Sequence, residues 1–164
     1  MLDIDGIPSH SDLAAVTPKT DRMIEGPVAV IECFQEIPCN PCADACPQGA
    51  IVIPANISAR PQFDESKCNG CGICVTRCPG LAIFVVDLSF GENEALLKIP
   101  FEFCPLPEKE EMVETLDRSG KPVGKGRVVR VQIQANKTTV LWLAVPRQEA
   151  MVVRNIRRRK EETE

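Results

Sequence analysis

Cys68-Asn69-Gly70-Cys71-Gly72-Ile73-Cys74-Val75-Thr76-Arg77-Cys78-Pro79 is the stretch on which the reading of this chain turns. Its cysteines are spaced C-x2-C-x2-C-x3-C-P. An imperfect copy lies upstream, Cys39-Asn40-Pro41-Cys42-Ala43-Asp44-Ala45-Cys46-Pro47, which reads C-x2-C-x3-C-P. Glu36 stands where the copy's first cysteine would be, and Cys33 lies three residues further back. Residues 33 to 78 therefore hold eight of the nine cysteines in the chain.

Three thiolates from a tight loop and a fourth after a longer step suit a cubane [4Fe–4S] cluster. With two such motifs, the fourth cysteine of each ligates the other cluster. The expected sets are Cys68, Cys71, Cys74 and Cys46 for one cluster, and Cys39, Cys42, Cys78 and one further ligand for the other. Three readings of that last position stay open: Cys33 looped back through 34–38, Cys104, which also precedes a proline, or a [3Fe–4S] cluster with no fourth thiolate. Gly70 and Gly72 allow positive φ and close backbone approach. Backbone N–H groups aimed at sulfur tune the potential. Pro41 removes one such donor from the first loop, which also lacks glycine, so a lower potential is expected there.

Structural zinc is the competing use of C-x2-C pairs. Zinc requires neither the repeat nor the Cys-Pro endings. Disulfides belong to secreted chains, and the N-terminus shows no secretion signal. Nine cysteines in that setting imply a reducing cytoplasm.

The chain has 164 residues, 44% of them hydrophobic, with six Phe, one Trp and no Tyr. So few large side chains leave metal–ligand bonds a large share of the folding energy. A net charge of −4 argues against a nucleic-acid footprint. No apolar run approaches a membrane span.

In chain order, 1–27 reads as an extended N-terminal arm interrupted by Pro8, Pro18 and Pro27. Strands are expected at 28–33, 51–53, 62–64 and 84–88, with helical turns at 47–50 and 79–83 after each Cys-Pro. The unit strand–loop–helix–strand thus occurs twice over 28–88. Ile31, Ile51, Ile73, Ile83 and Phe84 are the expected apolar shell around the clusters. A linker follows at 89–108. Strands at 112–116, 123–134, 138–145 and 151–156, with a tight turn at 146–150, suggest a small SH3-like β-barrel over 109–157. A charged tail closes the chain at 158–164. The fold class expected is α+β, a duplicated two-cluster domain followed by that barrel. Arg154, Arg157, Arg158, Arg159 and Lys160 read as a solvated basic end.

Residues 28–88 resemble a bacterial-type two-[4Fe–4S] ferredoxin domain. The approach Phe63-Asp64-Glu65-Ser66-Lys67-Cys68 and the exit Cys78-Pro79-Gly80-Leu81-Ala82-Ile83 are typical of it; Glu36 is the departure. The whole chain also resembles small iron–sulfur subunits of FAD-dependent dehydrogenases of the amine-, opine- or glycerol-phosphate-oxidising kind. That likeness rests on Ile37-Pro38-Cys39-Asn40-Pro41-Cys42 and on the C-terminal extension.

No acid–base pair, nucleophile, G-x-G-x-x-G or P-loop is readable. Catalysis is therefore not expected of this chain alone. The resemblance implies a hetero-oligomeric electron-relay subunit between a flavin dehydrogenase and an acceptor. A free-standing ferredoxin and a zinc-binding nucleic-acid module are the rival readings.

Overall fold

Val28-Ala29-Val30-Ile31 is apolar at every position, without the alternation of a half-solvated strand. Such a run suits a strand covered on both faces. In the computed structural model, which describes residues 5–158, it forms β1 (Val28–Ile31), with all four residues buried. Its neighbour β4 (Ile83–Asp87) is buried on both faces as well, and the two pair antiparallel from Val28↔Val86 to Ile31↔Ile83.

Alternation then sorts their side chains. Val28, Val30, Phe84 and Val86 face the larger core, whereas Ala29, Ile31, Ile83 and Val85 face a second one that contains Cys42 and Cys74. The cysteine loops lie on this second face. Two short helices carry them, α3 (Pro41–Asp44) and α4 (Ile73–Arg77), together with the two-stranded pair β2 (Ile51–Val52) and β3 (Gln62–Phe63). The unit β1–α3–β2 is repeated as β3–α4–β4. The first strand of one copy pairs with the last of the other, twice over.

The helices precede each Cys-Pro instead of following it. Proline disfavours the α conformation in the residue before it. Cys78 accordingly caps α4 in an extended conformation, with ψ 111°. Pro41 takes the first helical position of α3, where its missing N–H costs nothing.

The stretch read as an extended arm is helical. α1 (His10–Val16) starts with a capping box between Ser9 and Asp12, and α2 (Thr20–Glu25) follows. Met23 buries its side chain in the larger core. Arg22 fixes α2 by donating to the carbonyl oxygens of Glu65, Gly26, Pro27 and Cys68. The sequence signal was the capping box, which the prolines masked.

The stretch read as a linker, 89–108, contains an eight-residue strand. β5 (Glu94–Phe101) pairs with β4 on one side and, along eight positions, with β8 (Thr139–Pro146) on the other. β6 (Met112–Leu116), β7 (Pro122–Ile133) and β9 (Asn155–Arg157) complete a seven-stranded sheet of order β1-β4-β5-β8-β7-β6-β9. The SH3-like barrel expected over 109–157 is not found as a closed barrel among the described residues. β8 spends its second edge on β5, so the C-terminal strands continue the sheet of the cysteine-bearing half.

A buried ion triad locks this join. Glu32, directly after β1, accepts from Arg118 Nε at 2.8 Å and from Arg154 Nε at 2.8 Å. Burial disfavours its charge, but the Arg118 hydrogen bond and the two guanidinium charges outweigh that and hold the carboxyl below its usual range. Arg154 is therefore no part of a solvated end: its side chain is 4% exposed and lies over the Phe84 ring. Arg157 and Arg158 pair with Glu114 and Glu111. Arg159 and Lys160 lie outside the described residues. Removing one member of a buried ion group leaves an uncompensated charge, at about 3–5 kcal/mol. Glu32→Ala is expected to lower stability by that order in guanidinium unfolding. The combined change Glu32→Leu, Arg118→Leu and Arg154→Met is expected to recover most of it.

Candidate iron–sulfur site

The crossed pairing of the two repeats brings cysteines distant in sequence together. Cys74 is buried, and burial pushes its thiol up to about 12, with Cys68, Cys71 and Cys46 adding like charge from close by. Cys42 is pushed up to about 11, by burial first and then by Cys78, with Cys39 and Cys33 contributing. Cys33 is raised by burial and by Cys78 and Cys39. The thiols thus fall into two separate sets. One combines Cys46 with Cys68, Cys71 and Cys74; the other combines Cys78 with Cys33, Cys39 and Cys42. Each set takes one member from the opposite repeat.

Cys104 belongs to neither. It is exposed and lines a groove with Phe101, Phe103 and Met112. Glu36 is on the surface, within 3.9 Å of Arg60. All nine cysteines are free thiols.

Cys46, Cys68, Cys71 and Cys74 ring a small recess closed by Ala29, Ile51 and Phe63. Among the described residues no group of three or more His, Cys, Asp or Glu is arranged to hold a single metal ion. Ile31, Ile51 and Ile83 belong to the apolar core beside the thiols, as the sequence suggested. Ile73 is instead 40% exposed. Phe84 faces the other core, because its place in β4 is one residue out of phase with Ile83 and Val85.

Backbone N–H groups reach several sulfurs. Ala29 and Gly70 donate to Cys68 Sγ and Ala50 to Cys46 Sγ, each at 3.4 Å; Ala82 donates to Cys78 Sγ at the same distance. The amides of Gln35, Ala43 and Val75 also favour the thiolates of Cys33, Cys42 and Cys74. The loop after Cys68 closes against the connection between α2 and β1: a Cβ on Gly70, at φ +65°, would run into the side chain and carbonyl of Pro27.

Sequence reasoning missed Lys98. It is 8% exposed, its Nζ donates to Gly70 O at 2.7 Å, and it lies 4.3 Å from the centre of the Trp142 ring. Burial pulls its pKa below the usual lysine range, while Cys71, Asp87, Cys68 and Cys74 hold it up. A lysine in the middle of an apolar strand was the available signal.

The donor chemistry fits iron–sulfur clusters. Buried thiols with others close by, such as Cys74 and Cys42, resist ionising unless a cationic centre compensates them, and soft thiolates suit iron–sulfur clusters. Residues 37–82 match the family described as 4Fe-4S dicluster domain. Together these observations define an iron–sulfur protein whose cofactors are [4Fe–4S] clusters. Similar curated proteins include the ferredoxin-type protein NapF of Escherichia coli K12, 38% identical over 52 residues, which are 30% of this chain and 32% of that protein. NapF of Haemophilus influenzae is 41% identical over 61 residues, 36% of this chain and 35% of the relative. An uncharacterized ABC transporter ATP-binding protein of Methanocaldococcus jannaschii is 31% identical over 85 residues, 45% of this chain and 13% of its own length. The chain thus spans about a third of the length of the NapF relatives it matches. No solved structure matches it.

Gly70→Ala is expected to lose the iron of one thiol set and keep that of the other, read as iron and acid-labile sulfide per chain. Gly120→Ala, whose added Cβ would meet nothing within 4 Å, is expected to load fully.

Proposed function

We propose that this chain is an electron-relay subunit of a larger oxidoreductase, set between a flavin-dependent dehydrogenase and an acceptor. In this reading Cys46, Cys68, Cys71 and Cys74 hold one cluster, and Cys33, Cys39, Cys42 and Cys78 hold the other. When bound, the clusters accept and release electrons singly. The protein's part is to place two thiol sets side by side, shield them with Ile31, Ile51 and Ile83, and direct N–H groups at their sulfurs.

The observation that carries the reading is the division of eight thiols into two sets that exchange one member each. Among the described residues no acid–base pair or nucleophile stands out beside them, so in this reading electrons enter from one molecule and leave to another. Support for a fixed partner comes from the C-terminal strands. They are continuous with the sheet under the thiols and add a large surface that carrying electrons does not itself require. Among the described residues no helix is long and apolar enough to cross a membrane. The free thiols suit a reducing compartment such as the cytoplasm.

A second reading, a free-standing ferredoxin, is favoured by the likeness to the NapF relatives, which are named ferredoxin-type proteins. Native mass separates the two. The chain drawn from its own cells is expected to elute in a larger assembly that contains flavin. A flavin-free, monomeric carrier of full activity overturns the subunit reading.

The fourth ligand is tested separately. Cys33→Ser is expected to lower iron content or convert one cluster to a three-iron form, seen in its electron paramagnetic resonance (EPR) signal. Cys104→Ser is expected to leave iron, sulfide and spectrum unchanged.

A further inference from the structure

Strand register places Val85, Lys98, Trp142 and Arg130 in one row across β4, β5, β8 and β7. The row runs beneath the loop of Cys68 and Cys71. Its second member is the only charged one that is buried. Lys98 Nζ reaches Gly70 O at 2.7 Å and Cys71 O at 3.4 Å, and a Cβ on Gly72 would lie 3.3 Å from Lys98 Cδ. On its other side Trp142 packs over the ammonium at 4.3 Å, and exposed Arg130 lies 5.4 Å from the same ring. Trp142 is itself held by its Nε1–H donating to Gln132 Oε1 at 3.2 Å.

A buried ammonium costs desolvation energy that one carbonyl and one ring only partly return. It is well placed to meet negative charge. Both carbonyls it reaches, those of Gly70 and Cys71, belong to the loop of the Cys68, Cys71 and Cys74 set. A cation fixed in a poorly screened place stabilises added negative charge nearby, and so favours the reduced state of whatever centre sits there.

We infer that Lys98 positions the Cys68–Cys71 loop and, as a fixed positive charge, raises the reduction potential of the centre at Cys46, Cys68, Cys71 and Cys74 above that at Cys33, Cys39, Cys42 and Cys78. The inference rests on the two-set assignment proposed above. It gives the relay a direction: the more reducing end is the set carried by Cys39 and Cys42, and electrons settle at the set beside Lys98. Arg130 and Trp142 close that end against water from the solvent side.

The test is a redox titration followed by EPR on anaerobically prepared full-length protein, for the wild type and for Lys98→Gln, Lys98→Met and Lys98→Arg. Cys71→Ser and Cys42→Ser assign each signal to its thiol set. Gln keeps a donor for the Gly70 carbonyl and drops the charge. It is expected to load both centres and to shift one midpoint downward by on the order of tenfold in the reduction equilibrium, 59 mV for one electron. The other midpoint stays in place. Met is expected to shift the same centre and to broaden its signal as the loop loses its anchor. Arg, which restores charge, is expected to return the midpoint toward wild type. Unmoved midpoints in Lys98→Gln, or equal shifts of both, overturn the inference and leave the two-set reading intact. Loss of iron from both Lys98→Gln and Lys98→Arg reduces Lys98 to a packing role and overturns the charge assignment. A wild type with fewer than two assignable signals overturns the two-set reading and this inference with it.

Discussion

Four sulfur anions cannot share one recess unless something positive sits among them. Burial raises the Cys74 and Cys42 thiols far above their ordinary value, and neighbouring thiolates raise them further. These two thiols therefore favour their protonated form, and a thiolate-bound metal displaces their protons as it arrives. That coupling of metal to proton release makes binding free energy part of folding free energy. The helices that carry the loops are only four and five residues long, too short to stand alone. They are held by what their ends are attached to.

Those attachments come from the rest of the chain and are largely cationic. Arg22 ties the N-terminal helix pair to the carbonyls before and at Cys68. Lys98 reaches the same loop from the sheet below. Arg118 and Arg154 grip Glu32, one residue before Cys33. Asn136, in the turn between β7 and β8, donates to Thr76 O at 2.7 Å and steadies α4. The C-terminal strands thus act on the thiol sets directly. A net charge of −4 thus coexists with cationic side chains at three of these four attachments.

Cysteine spacing made the centre of the molecule legible, because ligand geometry is local: two or three residues between donors leave few conformations. The strands over 112–146 were legible as well, since turn residues such as Asp117, Gly120 and Asn136 stand between β-branched runs. What could not be read was long-range. Nothing local shows that Leu96 and Leu97 belong in a central strand and not in a connector, because that depends on β8 arriving from some forty-five residues away. The prolines at 8, 18 and 27 suggested an arm, yet each falls outside the helices they separate. Arg154 looked like the start of a basic tail, and its burial follows only from a partner 122 positions earlier in the chain. Lys98 was hidden for the same reason: its partners lie on another loop.

The swapped strands and swapped cysteines also set an order of events during synthesis. Cys39 and Cys42 emerge from the ribosome well before Cys78, and β1 waits for β4 as its neighbour. The platform under both loops stays incomplete until Trp142 and Arg154 have been made. Nascent chains therefore expose unfilled thiols until residues through Arg154 have emerged. Cofactor delivery belongs after that point, to a chain in which β4 and β8 are already paired with β5.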